Sequence, residues 1–361
     1  MRLSCALLAI KLGLSGCWAY SEPGYRGTKR PHFDGLRFRN LQPIEQHGLS
    51  DFVRWQRTRN PGLWRSPTEH QRTHRPGPTP PIRVAAGELR VTYINHASLL
   101  IQLDNANLLS DPIYSERCSP LSWIGPRRVR PPGIPFEALP PIDFVIISHN
   151  HYDHLDLPTL KRLERTFSPV FFVGLGNAQL LRRHGISKVV ELDWWQGYRL
   201  NRRLALHAVP AQHFSGRGLF DRNTTLWAGY VIESPAGAVY FAGDTGWGEH
   251  FAEIGRRFRP LRAALLPIGA FAPRWFMKGV HLSPEEALRA HHRLGAATSV
   301  AMHYGTFPLA DDGETEAVQR LRKALASDPK KPDFWVLPFG AGRALPPTEH
   351  PNNTGRTAAH Q

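Results

Sequence analysis

The chain has 361 residues, 41% hydrophobic and 21% charged, which is the balance of a globular protein and excludes a disordered one. Lys and Arg total 45 against 30 Asp and Glu, and the net charge of +15 calls for nucleic acid, an anionic membrane surface, a phosphate-bearing substrate or simply a solvated basic surface. The only cysteines are Cys5, Cys17 and Cys118, which excludes a disulfide framework and a cysteine-rich metal site, so any metal must be held by His and Asp.

The first segment reads as a leader. Arg2 supplies a positive start, residues 3–16 are mostly apolar, and Leu14-Ser15-Gly16-Cys17 has the form of a bacterial lipobox. This predicts cleavage before Cys17, acylation of its thiol and a membrane-anchored lipoprotein of the cell envelope; the alternative is a cytoplasmic or peripheral membrane protein. Residues 18–60 are polar and aromatic without clear periodicity, and residues 61–81 carry Pro61, Pro67, Pro76, Pro78, Pro80 and Pro81. Together, 18–87 are expected to form an N-terminal arm with an extended linker. Residues 88–344 form one body, and 345–361 are expected to be a disordered tail. No run of 18 apolar residues occurs, so no span of a bilayer is predicted.

In the body, strands are predicted at 89–94 and 98–103, on either side of Asn95-His96-Ala97. Residues 143–148 form a continuous apolar strand, as in a sheet buried on both faces. A helix near 157–165, a strand at 170–173, a helix near 177–184 and a strand at 188–192 follow. The second half repeats the theme, with strands at 204–209, 226–232 and 238–242, a helix near 248–257 and a strand at 263–268. Ser283-Pro284-Glu285-Glu286 is a capping box with proline at the first helical position, and Gly295 closes that helix. A strand at 299–303, a helix near 314–327 and a strand at 333–337 finish the body. Two mixed halves of similar size predict an α/β architecture of two sheets packed face to face with helices outside.

The string Ser148-His149-Asn150-His151-Tyr152-Asp153-His154-Leu155-Asp156 begins where the apolar strand ends, the place where α/β folds put ligands. Its H-x-H-x-D-H spacing lets alternate side chains of an extended segment point one way, while the following turn directs Asp153 and His154 to a neighbouring point. Imidazole and carboxylate suit zinc, and so many ligands from one loop do not readily close around a single ion. Three further donors each follow a predicted strand: His213 in Pro210-Ala211-Gln212-His213, Asp244 in Gly243-Asp244-Thr245-Gly246, and His303 before Tyr304-Gly305. Alone, His213 and His303 would read as structural histidines and Asp244 as a turn former. Their joint occurrence points to metal.

This ligand set resembles that of the metallo-β-lactamase superfamily, which implies a four-layer αβ/βα sandwich with two divalent metals, zinc foremost and other divalent ions as alternatives. The resemblance implies that His149, His151 and His213 hold one metal, that Asp153, His154 and His303 hold the other, and that Asp244 bridges. Within the superfamily the chain looks most like the N-acyl-phosphatidylethanolamine-hydrolysing phospholipase D group and its bacterial relatives, from about Pro31 to about Gly340. Pro273-Arg274-Trp275-Phe276-Met277-Lys278, His281-Leu282-Ser283-Pro284-Glu285-Glu286 and Met302-His303-Tyr304-Gly305 carry that likeness. Val280 stands where animal members are expected to carry a polar residue.

The resemblance implies that a metal-bridging hydroxide attacks the phosphorus of a phospholipid and expels N-acylethanolamine, leaving phosphatidic acid. Asp153 and His281 are the candidate catalytic side chains, His281 as general acid or oxyanion stabiliser. His96 is expected to orient a ligand. The stretch 271–277 is read as an aromatic loop in which Arg274 and Lys278 meet lipid phosphate or the anionic membrane surface. No nucleic-acid module is recognised and no such partner is expected. The dimeric animal members make a homodimer an expectation. Two other readings stand beside this one: a hydrolase of another ester or phosphodiester (lactone, cyclic or nucleic-acid substrate), and a non-catalytic envelope lipoprotein with a binding role.

Overall fold

The structure, a computed structural model, describes residues 24–348 apart from Gln46 and Leu219. The expected leader, Cys17 and most of the expected tail lie outside these residues. In chain order the elements are α1 (Leu49–Thr58), α2 (Pro67–Thr73), β1 (Leu89–Asn95), β2 (Ser98–Leu103), β3 (Ala106–Ser110), β4 (Phe144–Ile147), α3 (Leu157–Phe167), β5 (Val170–Gly174), α4 (Ala178–Arg183) and β6 (Val189–Leu192). There follow β7 (Gly197–Arg199), β8 (Ala205–Val209), β9 (Gly229–Glu233), β10 (Ala238–Phe241), α5 (His250–Arg257), β11 (Leu261–Pro267), α6 (Arg274–Met277), α7 (Pro284–Leu294), β12 (Thr298–Met302), α8 (Glu316–Ser327), β13 (Asp333–Trp335) and β14 (Gly342–Leu345).

The strands build two seven-stranded sheets, ordered β14-β1-β2-β3-β4-β5-β6 and β13-β12-β11-β10-β9-β8-β7. Each begins with antiparallel strands and continues in parallel: β1–β2–β3 then β4, β5 and β6 in one, β8–β9–β10 then β11, β12 and β13 in the other. The predicted αβ/βα sandwich is therefore present.

Consecutive apolar residues explain the burial of the central strands on two faces. In β4 and β5, Ile146 and Phe172 join the core shared with the second sheet, whereas Val145, Ile147, Phe171 and Val173 pack outward with Leu160 and Leu163 of α3 and Leu181 of α4. On the second sheet, Phe251 of α5, Leu288 of α7 and Leu321 of α8 belong to the same core as its strands. The capping box of α7 forms as expected: Glu286 N donates to Ser283 Oγ (3.2 Å), Ser283 N donates to Glu286 Oε2 (2.9 Å), and Gly295 takes φ +66°.

Several elements depart from the sequence reading. β3 was not anticipated; Asp104 and Asn105, with φ +47° and +63°, form the two-residue turn that brings Ala106 opposite Leu103. β7 and β14 are short edge strands, and β14 incorporates Leu345, placed at the start of the tail by the sequence reading. The arm carries α1 and α2 where no helix was expected, and Phe33 and Phe38 are buried in the main core. Residues 274–277, read as a loop, are the short helix α6.

Candidate metal centre

The candidate ligands come to one place because each follows the end of a strand. The loop 148–156 leaves β4, Asp111 follows β3, His96 sits between β1 and β2, and His213, Asp244 and His303 follow β8, β10 and β12. Asp244 Oδ2 lies 3.2 Å from His154 Nε2, 3.1 Å from His303 Nε2, 3.9 Å from His213 Nε2 and 3.8 Å from His281 Nδ1. Asp153 Oδ2 lies 3.2 Å from His154 Nε2 and 3.6 Å from His303 Nε2. On the other side of Asp244, His151 Nδ1 is 2.7 Å from His149 Nε2 and 3.3 Å from His213 Nε2. All seven residues singled out as ligands thus converge. Two separate donor sets result, His149/His151/His213 and Asp153/His154/His303 with His96, and Asp244 joins them through the groups His149/His154/Asp244 and His213/Asp244/His281; within each the ligating atoms lie within 4.8 Å of one another.

Hydrogen bonds from behind aim the imidazoles. His154 Nδ1 pairs with Asp111 Oδ2 at 2.6 Å, which turns Nε2 to the centre. The Ser148 hydroxyl donates to the same carboxylate oxygen (2.6 Å) and lies 2.9 Å from His149 Nδ1, so Asp111 also orients His149. His213 Nδ1 donates to the Val280 carbonyl (2.9 Å), leaving its Nε2 inward. Asn40 of the arm clamps the His213 backbone, donating to its carbonyl at 2.8 Å and accepting from its N–H at 3.1 Å. His96 Nε2 meets Asp153 Oδ2 at 2.9 Å, a contact suited to orienting that carboxylate. His96, Asp111 and His303 all have positive φ, at +47°, +34° and +60°, so three residues of the centre hold an unfavourable backbone geometry.

Charge is set by burial and by neighbours. Burial, followed by neighbouring imidazoles, holds His149 well below its ordinary pKa, and burial takes His151 down to about 4. Burial also lowers His213, overriding the attraction of Asp244. These rings are neutral at physiological pH and offer lone pairs. Burial alone would raise Asp153 and Asp244, but His154 next to both holds each carboxylate well below the usual range. His154 is driven well above its ordinary value, and His303 up to about 9, because the carboxylates outweigh burial. Asp244 Oδ1, His154 Nε2, His281 Nδ1 and His303 Nε2 are buried without a well-directed hydrogen bond among the described residues. Orphaned buried atoms of this hard and borderline donor set fit divalent ions, zinc among them.

The centre opens at the partly exposed His151, Asp153 and His281. Arg274 does not face that opening as a free cation: its guanidinium donates to Glu286 Oε2 at 2.8 Å and to the His281 carbonyl at 3.0 Å, so it braces the turn carrying His281. Lys278 is exposed. Asp111 was not singled out in the sequence, and Ser148 and Asn40 carried no signal of site membership beyond adjacency or polarity.

A family model described as a beta-lactamase superfamily domain matches residues 106–304, more than half of the 361-residue chain. The chain belongs to the metallo-β-lactamase superfamily. An uncharacterized protein of Mycobacterium tuberculosis is 43% identical over 244 residues, 66% of this chain and 64% of that protein. N-acyl-phosphatidylethanolamine-hydrolyzing phospholipase D 1 of Caenorhabditis elegans is 37% identical over 238 residues, 63% of this chain and 66% of the nematode protein. The match thus spans less than two thirds of these relatives. Among solved structures, an isothiocyanate hydrolase from Delia radicum gut bacteria shares the fold, with a TM-score of 0.57 at 21% identity, covering 70% of this chain and 98% of that one. Igni18, a metallo hydrolase from Ignicoccus hospitalis, gives 0.53 at 23% identity, covering 71% and 98%.

Proposed function

We propose that the chain is a dinuclear zinc phosphodiesterase of phospholipase D type that acts on N-acyl-phosphatidylethanolamine-like phospholipids. The observation that carries this reading is the position of Asp244 Oδ2, 3.1–3.2 Å from His303 and His154 on one side and 3.9 Å from His213 on the other. His149, His151 and His213 would hold one ion, Asp153, His154 and His303 the second, with Asp244 shared. Ions bound there supply Lewis acidity, polarising a phosphoryl oxygen and bringing the pKa of water toward ~7. The likeness to the nematode enzyme supports the substrate class.

The chain's own residues account for the rest. At neutral pH His149, His151 and His213 are neutral and the carboxylates ionised, whereas His154 and His303, paired with those carboxylates, would release a proton as an ion binds. Hydrolysis adds water across the P–O bond, leaving the hydroxyl on phosphorus as phosphatidic acid and the proton on the departing N-acylethanolamine oxygen. His281 stands at the opening, and burial lowers its pKa to about 4. A neutral ring there suits hydrogen-bond donation to developing negative charge better than full general-acid duty. A stretch 40% identical over 103 residues to an outer membrane protein of Klebsiella pneumoniae supports a place in the cell envelope, with the lipid anchor at Cys17 as part of that reading. Among the described residues, no helix is long and apolar enough to cross a membrane.

Metal-replete protein incubated with vesicles of N-acyl-phosphatidylethanolamine should release phosphatidic acid and N-acylethanolamine, read by mass spectrometry. Cleavage of a soluble diester without phosphatidic acid would reject the substrate assignment. Asp244→Ala should lower turnover by at least ~1000-fold and reduce bound metal while the circular dichroism stays unchanged.

A further inference from the structure

Large apolar side chains stand out at the tips of three loops on one side of the centre. In the loop 115–127, residues 120–125 are all exposed, among them Leu121, Trp123 (71% exposed) and Ile124. Phe220, 77% exposed, tips the loop 214–222, and Leu36, 78% exposed, tips the turn 34–39. These loops are neighbours. Arg37 Nη1 donates to the Arg222 carbonyl at 3.0 Å and Phe38 N to the Asn223 carbonyl at 2.7 Å. Arg117, Ser119 and Ser122 of the first loop line a cleft of about 260 Å³ together with Arg217 and Tyr152.

The cleft adjoins the loop that carries the ligands, since Tyr152, Leu155 and Asp156 of that loop line it. A second link runs through Phe214, whose ring is 4.5 Å from that of His151 and 4.3 Å from the Arg222 guanidinium. Charge on this face is net positive. Arg37, Arg39, Arg117, Arg127 and Arg222 surround the apolar tips, with Lys29 against the 34–39 turn, while Arg217 turns inward to the Asn150 and Leu155 carbonyls. The carboxylates beside them are engaged: Asp34 by Arg39 at 3.1 Å, Glu116 by Arg127 at 3.2 Å, and Asp221 by the Arg217 and Gly218 amides at 3.0 and 2.8 Å. Exposed aromatic and aliphatic tips with arginines at their base match the two layers of an anionic lipid surface, acyl boundary and phosphate.

We propose that these three loops form a bilayer-docking face, with Trp123 and Phe220 as its inserted anchors. Docking there sets the opening at His151, Asp153 and His281 against the lipid from which the substrate is drawn. The catalytic consequence rests on the phospholipase reading; the docking itself does not.

The test uses the full chain carrying Cys17→Ser, so that acylation contributes nothing. Flotation with phosphatidylcholine vesicles containing about one third phosphatidylglycerol should capture the protein, and pure phosphatidylcholine or about 0.5 M salt should release it. The Trp123→Ser/Phe220→Ser double variant should lose at least roughly tenfold in vesicle partitioning with an unchanged melting temperature, since both side chains are in solvent. Its turnover of monomeric short-chain N-acyl-phosphatidylethanolamine should equal that of the parent, while turnover of vesicles falls. Equal flotation of variant and parent, binding indifferent to phosphatidylglycerol, or a parent dimer that the substitutions dissociate into monomers would overturn the proposal. Docking without hydrolysis of any lipid would instead reject the phospholipase reading and leave the docking face standing.

Discussion

Asp111 receives Nδ1 of His154 and the hydroxyl of Ser148, and through Ser148 it also fixes His149. One carboxylate thus aims two of the proposed ligands. Asp111→Asn keeps the size but places an amide where two donors converge, so one imidazole must turn or change tautomer. Zinc affinity, measured by competition with a chromogenic chelator, should fall ~10- to 100-fold; unchanged affinity would mean that the histidines are held by packing alone. The metal-type string was legible because four of its ligands fall within six positions, whereas Asp111 lies 37 positions before Ser148. Its role exists only once β3 pairs in parallel with β4 and sets Ser110 beside Ile146. Asn40 was hidden for a similar reason, being 173 positions from the histidine that it clamps.

At the scale of elements, the turn after β10 carries the tightest geometric demand. Gly243 has φ +61°, and a Cβ there would meet Ser148 Cβ at 2.5 Å. Only glycine lets Asp244 approach the loop after β4. Gly243→Ala should cost ~1–3 kcal/mol in urea denaturation and displace Asp244 enough to lower turnover more than stability alone predicts. Long apolar strands and the α7 cap were legible because local composition decides them. Ser66-Pro67-Thr68-Glu69 carries the same cap signature, and Glu69 N does donate to Ser66 Oγ, at 3.3 Å. That helix was missed because it runs only from Pro67 to Thr73 amid prolines that signal extended chain. β7 and β14 are edge strands stabilised by their partners, so their own residues announce little.

For the whole molecule, the arm is tied down through Glu314. Its carboxylate accepts from Arg65 Nη2 (2.8 Å) and the Arg65 N–H (3.0 Å), pairs with His70 at 3.0 Å and meets Arg130 of the body. Burial would raise its pKa, but Arg65, His70 and Arg130 hold it down to about 2 against 4.5 in a free chain. Because the folded value is the lower one, the stabilisation is complete above about pH 4.5 and vanishes as pH falls toward about 2. Glu314→Gln should lose on the order of 3 kcal/mol at pH 7, with the gap to the parent closing across that acidic window in urea titrations. A gap independent of pH would show that the charge does not matter. Contacts of this kind between the arm and the far end of the chain carry no local signal, which is why the arm read as a linker.

The two sheets contribute unequal but indispensable shares of the proposed donors: the loop after β4 on one, the ends of β8, β10 and β12 on the other. A cation gripped by both would fasten the halves together, and its binding energy would be added to the work of prying them apart. Saturating zinc at ~1000 times its dissociation constant should then raise unfolding free energy by ~4 kcal/mol over chelator-treated protein. Hydrogen exchange would show both sheets losing protection together on chelation. If only one loosened, the fastener would belong to that sheet alone.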